Sequence, residues 1–298
     1  MSPHRTALTA AHLAAVLFGL TGIFGALIHA DASVITFGRA AFAVAALALI
    51  ARLRRRPLLK GLSGPQLGVL GLTGLLLAAH WVSFFVAVKV GGVAVATLGF
   101  ASFPALIAVL DVLVFRERIG ATETALLGLV TLGLLLVTPS FDYRDHGTAG
   151  LLWGIASGLS FALLAIANRR GARGMAAMQV AFWQNAVVCA VLAPFALGKL
   201  GALGQADWGF LALLGVFCTG LAQWLFVTSL AGLSARGAGM ILSLEPVYAI
   251  GCAWWLFGQQ PAPRVLAGAA LILSAIVLAA RGTPQAPPRP PARPAAID

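Results

Sequence analysis

Residues 240–257 read MILSLEPVYAIGCAWWLF. A run this apolar approaches the ~20 residues that cross a ~30 Å hydrocarbon core as a helix, yet Glu245 and Pro246 stand in its middle. An ionised side chain at the centre of a bilayer costs about 2.5–3.5 kcal/mol even on the lenient insertion scale. Proline removes a backbone donor and leaves the carbonyl one turn earlier without its partner. The stretch therefore predicts a helix bent or broken where it faces the protein interior, with its carboxylate about 12 Å deep at the α-helical rise.

The remainder of the chain explains what that interior is. Of 298 residues, 60% are hydrophobic and only 10% charged, with 34 glycines, which leaves too little polar surface to wet a soluble domain. Apolar runs recur about every 25 residues, near the length a bilayer requires. Ten are expected: Leu8 to Ile28, Ser33 to Ala51, Gln66 to Val88, Gly92 to Phe115, Ala121 to Pro139, Thr148 to Asn168, Met175 to Gly198, Trp208 to Leu230, Gly237 to Phe257 and Ala262 to Ala280. The runs are continuous and rich in leucine and alanine, unlike the short alternating segments of a strand barrel. The fold class is all-α integral membrane. The first run exceeds the apolar core of a secretory signal and reads as an uncleaved span.

A net charge of +11 raises nucleic acid as a partner, but no basic amphipathic or aromatic-interleaved element is present. The charge instead sorts by side. With ten spans, fifteen lysines and arginines gather on one side, among them the run Arg52, Arg54, Arg55, Arg56 and Lys60; Lys89, Arg144, Lys199 and Arg264 fall on the other, and Arg39 lies within a span. That bias puts both termini in the cytoplasm of a chain in the plasma (inner) membrane. Cys189, Cys218 and Cys252 sit inside apolar runs and read as small core residues. The tail TPQAPPRPPARPAAID, within 282–298, is too rich in proline to pack and is expected to be disordered.

The chain also repeats itself. A shift of 142 residues lays Pro104 on Pro246, Phe115 on Phe257 and Glu117 on Gln259; a shift of 135 lays Phe18 and Gly19 on Trp153 and Gly154. Two five-helix halves follow, residues 1–139 and 148–281, joined by an external linker at 140–147. An odd number of spans in each half turns the second upside down, and inverted repeats are the architecture of secondary transporters with a site near the midplane.

The stretches FFVAVKVGGVAVATLGFASFPALIAVLDVLVFRERI (84–119) and WLFVTSLAGLSARGAGMILSLEPVYAIGCAWWLFGQQP (224–261) resemble the third-to-fourth and eighth-to-ninth helices of the drug/metabolite transporter superfamily, EamA type. Arg39 in FGRAAFAVAAL (37–47) resembles a second-helix arginine common there, and the resemblance covers about residues 8–281. It implies a ten-helix basket around a central cavity that exports small metabolites. The aromatic content of the inner helices is most similar to the subgroup exporting aromatic and other neutral amino acids. Gln259 stands where members often keep the glutamate seen here as Glu117, and the first helix carries no acidic residue, unlike the proton-coupled small multidrug branch.

Ionisable side chains inside spans point inward, which selects Arg39, His80 and Glu245. Glu245 suits either a substrate ammonium or a hydrogen bond that holds the kink. Arg39 suits a substrate carboxylate, a cap on helix carbonyls, or snorkelling toward the outer interface. His80 begins a helical face with Phe84, with Ser83 beside it. Phe100 and Phe103 on the fourth span, Trp153 and Ser157 on the sixth, and Gln223 and Trp224 on the eighth complete the candidate substrate-binding set. Gln184 and Asn185 read as residues that stitch helices. Pro104 and Pro246 are candidate hinges. An apolar cavity with few hydroxyls and amides suits a zwitterionic amphiphile better than a nucleotide diphosphate, which needs several inward cations. A multidrug exporter of lipophilic cations, with Glu245 as counter-charge, is the alternative. No enzyme constellation, cofactor motif or metal spacing is found; DYRDH at 142–146, the one acidic/histidine cluster, lies in the linker. The partners expected are a small-molecule substrate and the lipid bilayer, with no nucleic acid, and the working unit is expected to be a monomer.

Overall fold

A computed structural model describes residues 3–55, 57–58, 61–115, 120–138, 142, 144–172, 175–229, 233, 238, 241–242 and 244–282. Every regular element among them is helical: α1 (Pro3–Leu27), α2 (Ala32–Leu53), α3 (Gly64–Phe100), α4 (Phe103–Phe115), α5 (Ala121–Val137), α6 (His146–Gly171), α7 (Ala177–Ala196), a 3-10 segment (Leu197–Ala202), α8 (Gln205–Gly215), a π-helical segment (Val216–Leu221), α9 (Ala222–Ser229), α10 (Glu245–Phe257) and α11 (Pro263–Gly282). Six helical stretches are long and apolar enough to cross a membrane, and Phe103–Val114, Thr124–Val137 and Pro263–Leu278 are shorter apolar helices. The chain is a multi-pass membrane protein. The expected ninth span runs through residues 239–240 and 243, and Glu117, Arg236 and the tail from 283 onward also lie outside the described residues.

The third and fourth expected spans meet inside α3. A straight helix of its 37 residues would be ~55 Å long, yet the rings of His80 and Phe100 are only 5.0 Å apart. The chain turns back at Gly92, whose φ of 82° and ψ of 168° belong to a region open in practice to glycine alone. Both arms then lie along α6. On the first, His80 reaches Ser157; on the second, a Cβ on Gly154 would meet Ala96 O at 2.8 Å and the Cα of Gly99 at 3.0 Å. Only bare backbone permits that approach.

The helix pairings come in matched sets. The arms of α3, continued by α4, pack on α6; α9 and α10 pack on α1; α2 packs on α7 and α5 on α11. The core between them holds Phe85, Ile23, Ile35, Leu211 and Leu214, all fully buried. Outward faces carry large apolar side chains, as on α10, where Pro246, Ala249 and Ala253 are buried while Trp255 is 82% exposed. Such a face is suited to lipid.

Pro104 and Pro246, the matched prolines, each lie in the first turn of a helix, α4 and α10. The fourth span is interrupted at Ala101 and Ser102 before α4 begins. Glu245 is likewise not mid-helix: a turn at Leu244 precedes it, and it opens α10. The break falls where the sequence reading puts a bent or broken helix, and the physical reason is local. A proline's missing N–H costs little in a first turn, and a carboxylate there meets the positive end of the helix dipole.

Candidate functional site

A cavity of about 720 Å³ occupies the middle of the bundle, within the range of small-molecule sites. Its lining reaches Ala172, Met175 and Ala177 at one end. The opposite end contributes none of the lining and is cross-linked instead. There Lys89 Nζ donates to Ile28 O at 2.5 Å, the His29 N–H donates to Asp207 Oδ1 at 2.8 Å, and Lys199 Nζ meets Asp31 Oδ2 at 2.6 Å. Asp31 also caps α2, accepting from the N–H groups of Ser33 and Val34 at 3.0 Å. Partial burial raises its carboxyl, but the bonds from Lys199, Ser33 and Val34 outweigh that and bring it from 3.8 to about 2.

One wall of the cavity is aromatic. The ring of Phe100 lies 5.0 Å from His80, 5.1 Å from Phe103 and 5.5 Å from Phe161, with Phe84 at 6.0 Å. These are spacings at which offset and edge-to-face rings attract. His80 is fixed from behind by α6. Its Nδ1 lies 3.2 Å from Ser157 O and 2.8 Å from Ser157 Oγ, while the serine hydroxyl donates to His80 O at 3.0 Å. A carbonyl can only accept, so the proton is assigned to Nδ1.

The other wall is polar. Arg39, 5% exposed, does not snorkel: its guanidinium carbon lies 3.9 Å from the centroid of the Trp81 ring, and Nε donates to Thr219 Oγ1 at 2.7 Å. Gln184 Nε2 donates to Asn168 Oδ1 at 2.8 Å and stitches α7 to α6. Glu245 and Gln223 also face the cavity. Two lining residues carry buried oxygens without a partner, Thr21 Oγ1 and Asn185 Oδ1.

The structure thus gathers Arg39, His80, Phe84, Phe100, Phe103, Gln223, Glu245 and Pro246 around one space. Ser157 stands behind His80. Ser83 is turned onto its own helix, donating to Ala79 O at 2.6 Å. Trp153 and Trp224, about half exposed, stand outside the cavity lining because each is the helical neighbour of an inward residue, Gly154 or Gln223, and so lies ~100° round. Pro104 is beside the lining residue Phe103 and not itself part of it. Sequence reasoning overlooked Thr21, Phe161, Asn168 and Thr219. Phe161 was within reach, one turn after Ser157; nothing in the local sequence marks Thr219. In the linker, Asp142 and Asp145 serve local backbone, accepting from the N–H groups of Arg144 and Thr148 at 2.9 Å.

With this architecture in view, the similarity to known proteins is specific. The family model described as the EamA-like transporter family matches twice, over residues 5–138 and 148–281, and the chain belongs to that family. Its members are transporters. The chain is 24% identical over 177 residues to the uncharacterized transporter YxxF of Bacillus subtilis (strain 168), covering 58% of this chain and 57% of that one. The match thus spans little more than half of the Bacillus protein. It is also 27% identical over 237 residues to an uncharacterized transporter of Archaeoglobus fulgidus, covering 78% and 81% of the two chains. A crystal structure with a TM-score of 0.61 and 17% identity covers 93% of this chain and 96% of its own, a likeness of fold alone.

Proposed function

We propose that the chain is a secondary transporter that exports aromatic and other neutral amino acids across the inner membrane, its two inverted halves rocking about the cavity. The observation that carries this reading is the division of the cavity into an aromatic wall and a wall bearing one guanidinium, one carboxylate and several amides. A zwitterion with an apolar side chain satisfies both walls at once. A sugar leaves the guanidinium and the carboxylate without charged partners, and a lipophilic cation meets Arg39 as well as Glu245, so its charge finds no net counterpart. Matched packing of α3 and α4 on α6 and of α9 and α10 on α1 supports the inverted halves, 1–139 and 148–281 about the linker 140–147, as does the double family match. Pro104 and Pro246 act as the flexible points, both termini are cytoplasmic, and a monomer suffices. The cavity then opens toward the cytoplasm, since Arg170 and Ala172 share the end of α6 that charge bias assigns there.

Counterflow in proteoliposomes, with labelled neutral amino acids, sugars and quaternary amines, tests the reading. Amino-acid flux is expected; flux confined to quaternary amines overturns it. Glu245→Gln separates the two readings further: neutral amino-acid flux is weakened but persists, because the new amide oxygen and Asn185 Oδ1 still accept from the ammonium, whereas a cation exporter left without its counter-charge loses its transport.

A further inference from the structure

We propose that Thr219 is a positioning residue that aims the guanidinium of Arg39 at a substrate carboxylate. The inference rests on the zwitterion reading above and names the pole of the substrate that Arg39 receives.

Arg39 is buried, yet no acid lies within ion-pair distance of it among the described residues. A buried cation without a partner is strongly unfavourable. Its surroundings account for only part of the group. Trp81 covers one face at 3.9 Å and Thr219 takes Nε at 2.7 Å, while no acceptor among the described residues meets either Nη. The open edge of the fork matches a carboxylate, which accepts two parallel N–H bonds. An ammonium or quaternary amine is repelled there, and an apolar group leaves the donors unpaired.

Thr219 holds that fork in a fixed direction. Its hydroxyl proton goes to Leu214 O at 3.0 Å, five residues back, so the lone pair it offers Arg39 cannot rotate away. The i to i−5 reach follows from the π-helical segment Val216–Leu221. In an unbroken α-helix the extra residue of the π turn vanishes, and Thr219 rotates by ~100° about the axis. The bulge thus aims a hydroxyl at Arg39. Gly215, one residue before it at the end of α8, lets that helix approach α2: a Cβ there would meet Arg39 O at 2.6 Å. The ammonium pole has its own acceptors in the same cavity, Glu245 and the unpartnered Asn185 Oδ1.

The test uses the full chain in proteoliposomes with Thr219→Val, which keeps the shape and removes the acceptor, and Thr219→Ser, which keeps the hydroxyl. The probes are L-phenylalanine, its amide and 3-phenylpropionate, each as a competitor of counterflow. Thr219→Val should weaken phenylalanine about tenfold and leave the amide unchanged, and Thr219→Ser should restore phenylalanine. Equal weakening of phenylalanine and its amide, or no weakening of phenylalanine, overturns the proposal. If 3-phenylpropionate competes and phenylalanine does not, the amino-acid reading falls, the carboxylate site stands, and Thr219→Val is judged on the propionate. If neither carboxylate competes, the carboxylate site falls. Should the valine chain not fold, Thr219→Ala removes the same acceptor and takes its place.

Discussion

The aromatic and polar walls of the cavity are built on different kinds of backbone. Behind the rings, the two arms of α3 lie against α6 through glycines, and Gly154 has no room for a methyl group. Behind Arg39 and Glu245 the backbone is irregular, with a π-helical segment at Val216–Leu221 and a helix that starts afresh at Glu245. Close-packed backbone holds a wall in one shape, whereas a bulge or a helix start can change shape at small expense. A close-packed apolar surface, broken only where α4 starts after Ala101 and Ser102, beside a more irregular polar one suits a carrier that grips a constant charged group while its cavity changes access.

The largest effect expected from breaking this contrast is at the rigid side. Gly154→Val drives a side chain into Ala96 O and Gly99, and overpacking of this kind costs about 1–3 kcal/mol or more; the yield of monodisperse protein in detergent should collapse. The adjustable side behaves differently. Arg39→Gln should cut amino-acid flux by about 10- to 100-fold, the size of a lost charge-assisted hydrogen bond, while the melting temperature stays level or rises, because an unpaired buried charge is removed. A matching fall in both would make Arg39 a structural residue.

Much of this was legible in the sequence. The alternation of apolar runs and the doubled Pro104/Pro246 register announced helices, repeats and a cavity, because burial in lipid leaves so few places for Arg39, His80 and Glu245. What escaped was phase and local backbone. Trp153 and Trp224 look like site residues by composition, yet one position of helical rotation separates them from the inward Gly154 and Gln223. The π turn sets Thr219 against Arg39, 180 residues away in sequence, and nothing in the local sequence marks that pairing. At Gly92, which the sequence reading places at the start of the fourth span, a single left-handed glycine reverses the chain without a separate loop.

Smaller effects sharpen the contrast. Phe161→Leu keeps an apolar wall but loses ring contacts with Phe100 and Phe103 at 5.5 and 5.1 Å, each worth about 0.5–1.5 kcal/mol. Competition assays should show a several-fold loss for phenylalanine and little change for leucine. At the cross-linked end, Asp31→Asn removes an exposed pair with Lys199 and should lower stability by less than about 1 kcal/mol. Because the folded carboxyl is held at about 2 against 3.8 when free, its contribution is complete above pH 3.8 and fades as pH falls toward 2. Unfolding midpoints of the wild type and the variant should therefore converge only in strong acid.

Alternating exposure of this cavity is open to direct measurement. In a chain whose Cys189, Cys218 and Cys252 are replaced by serine, Gln223→Cys places one thiol in the cavity lining. A membrane-impermeant maleimide should label it from the face bearing Met175, and phenylalanine, by cycling the carrier, should open labelling from the opposite face. Labelling from one face alone, unchanged by phenylalanine, would contradict the transport cycle proposed for this cavity.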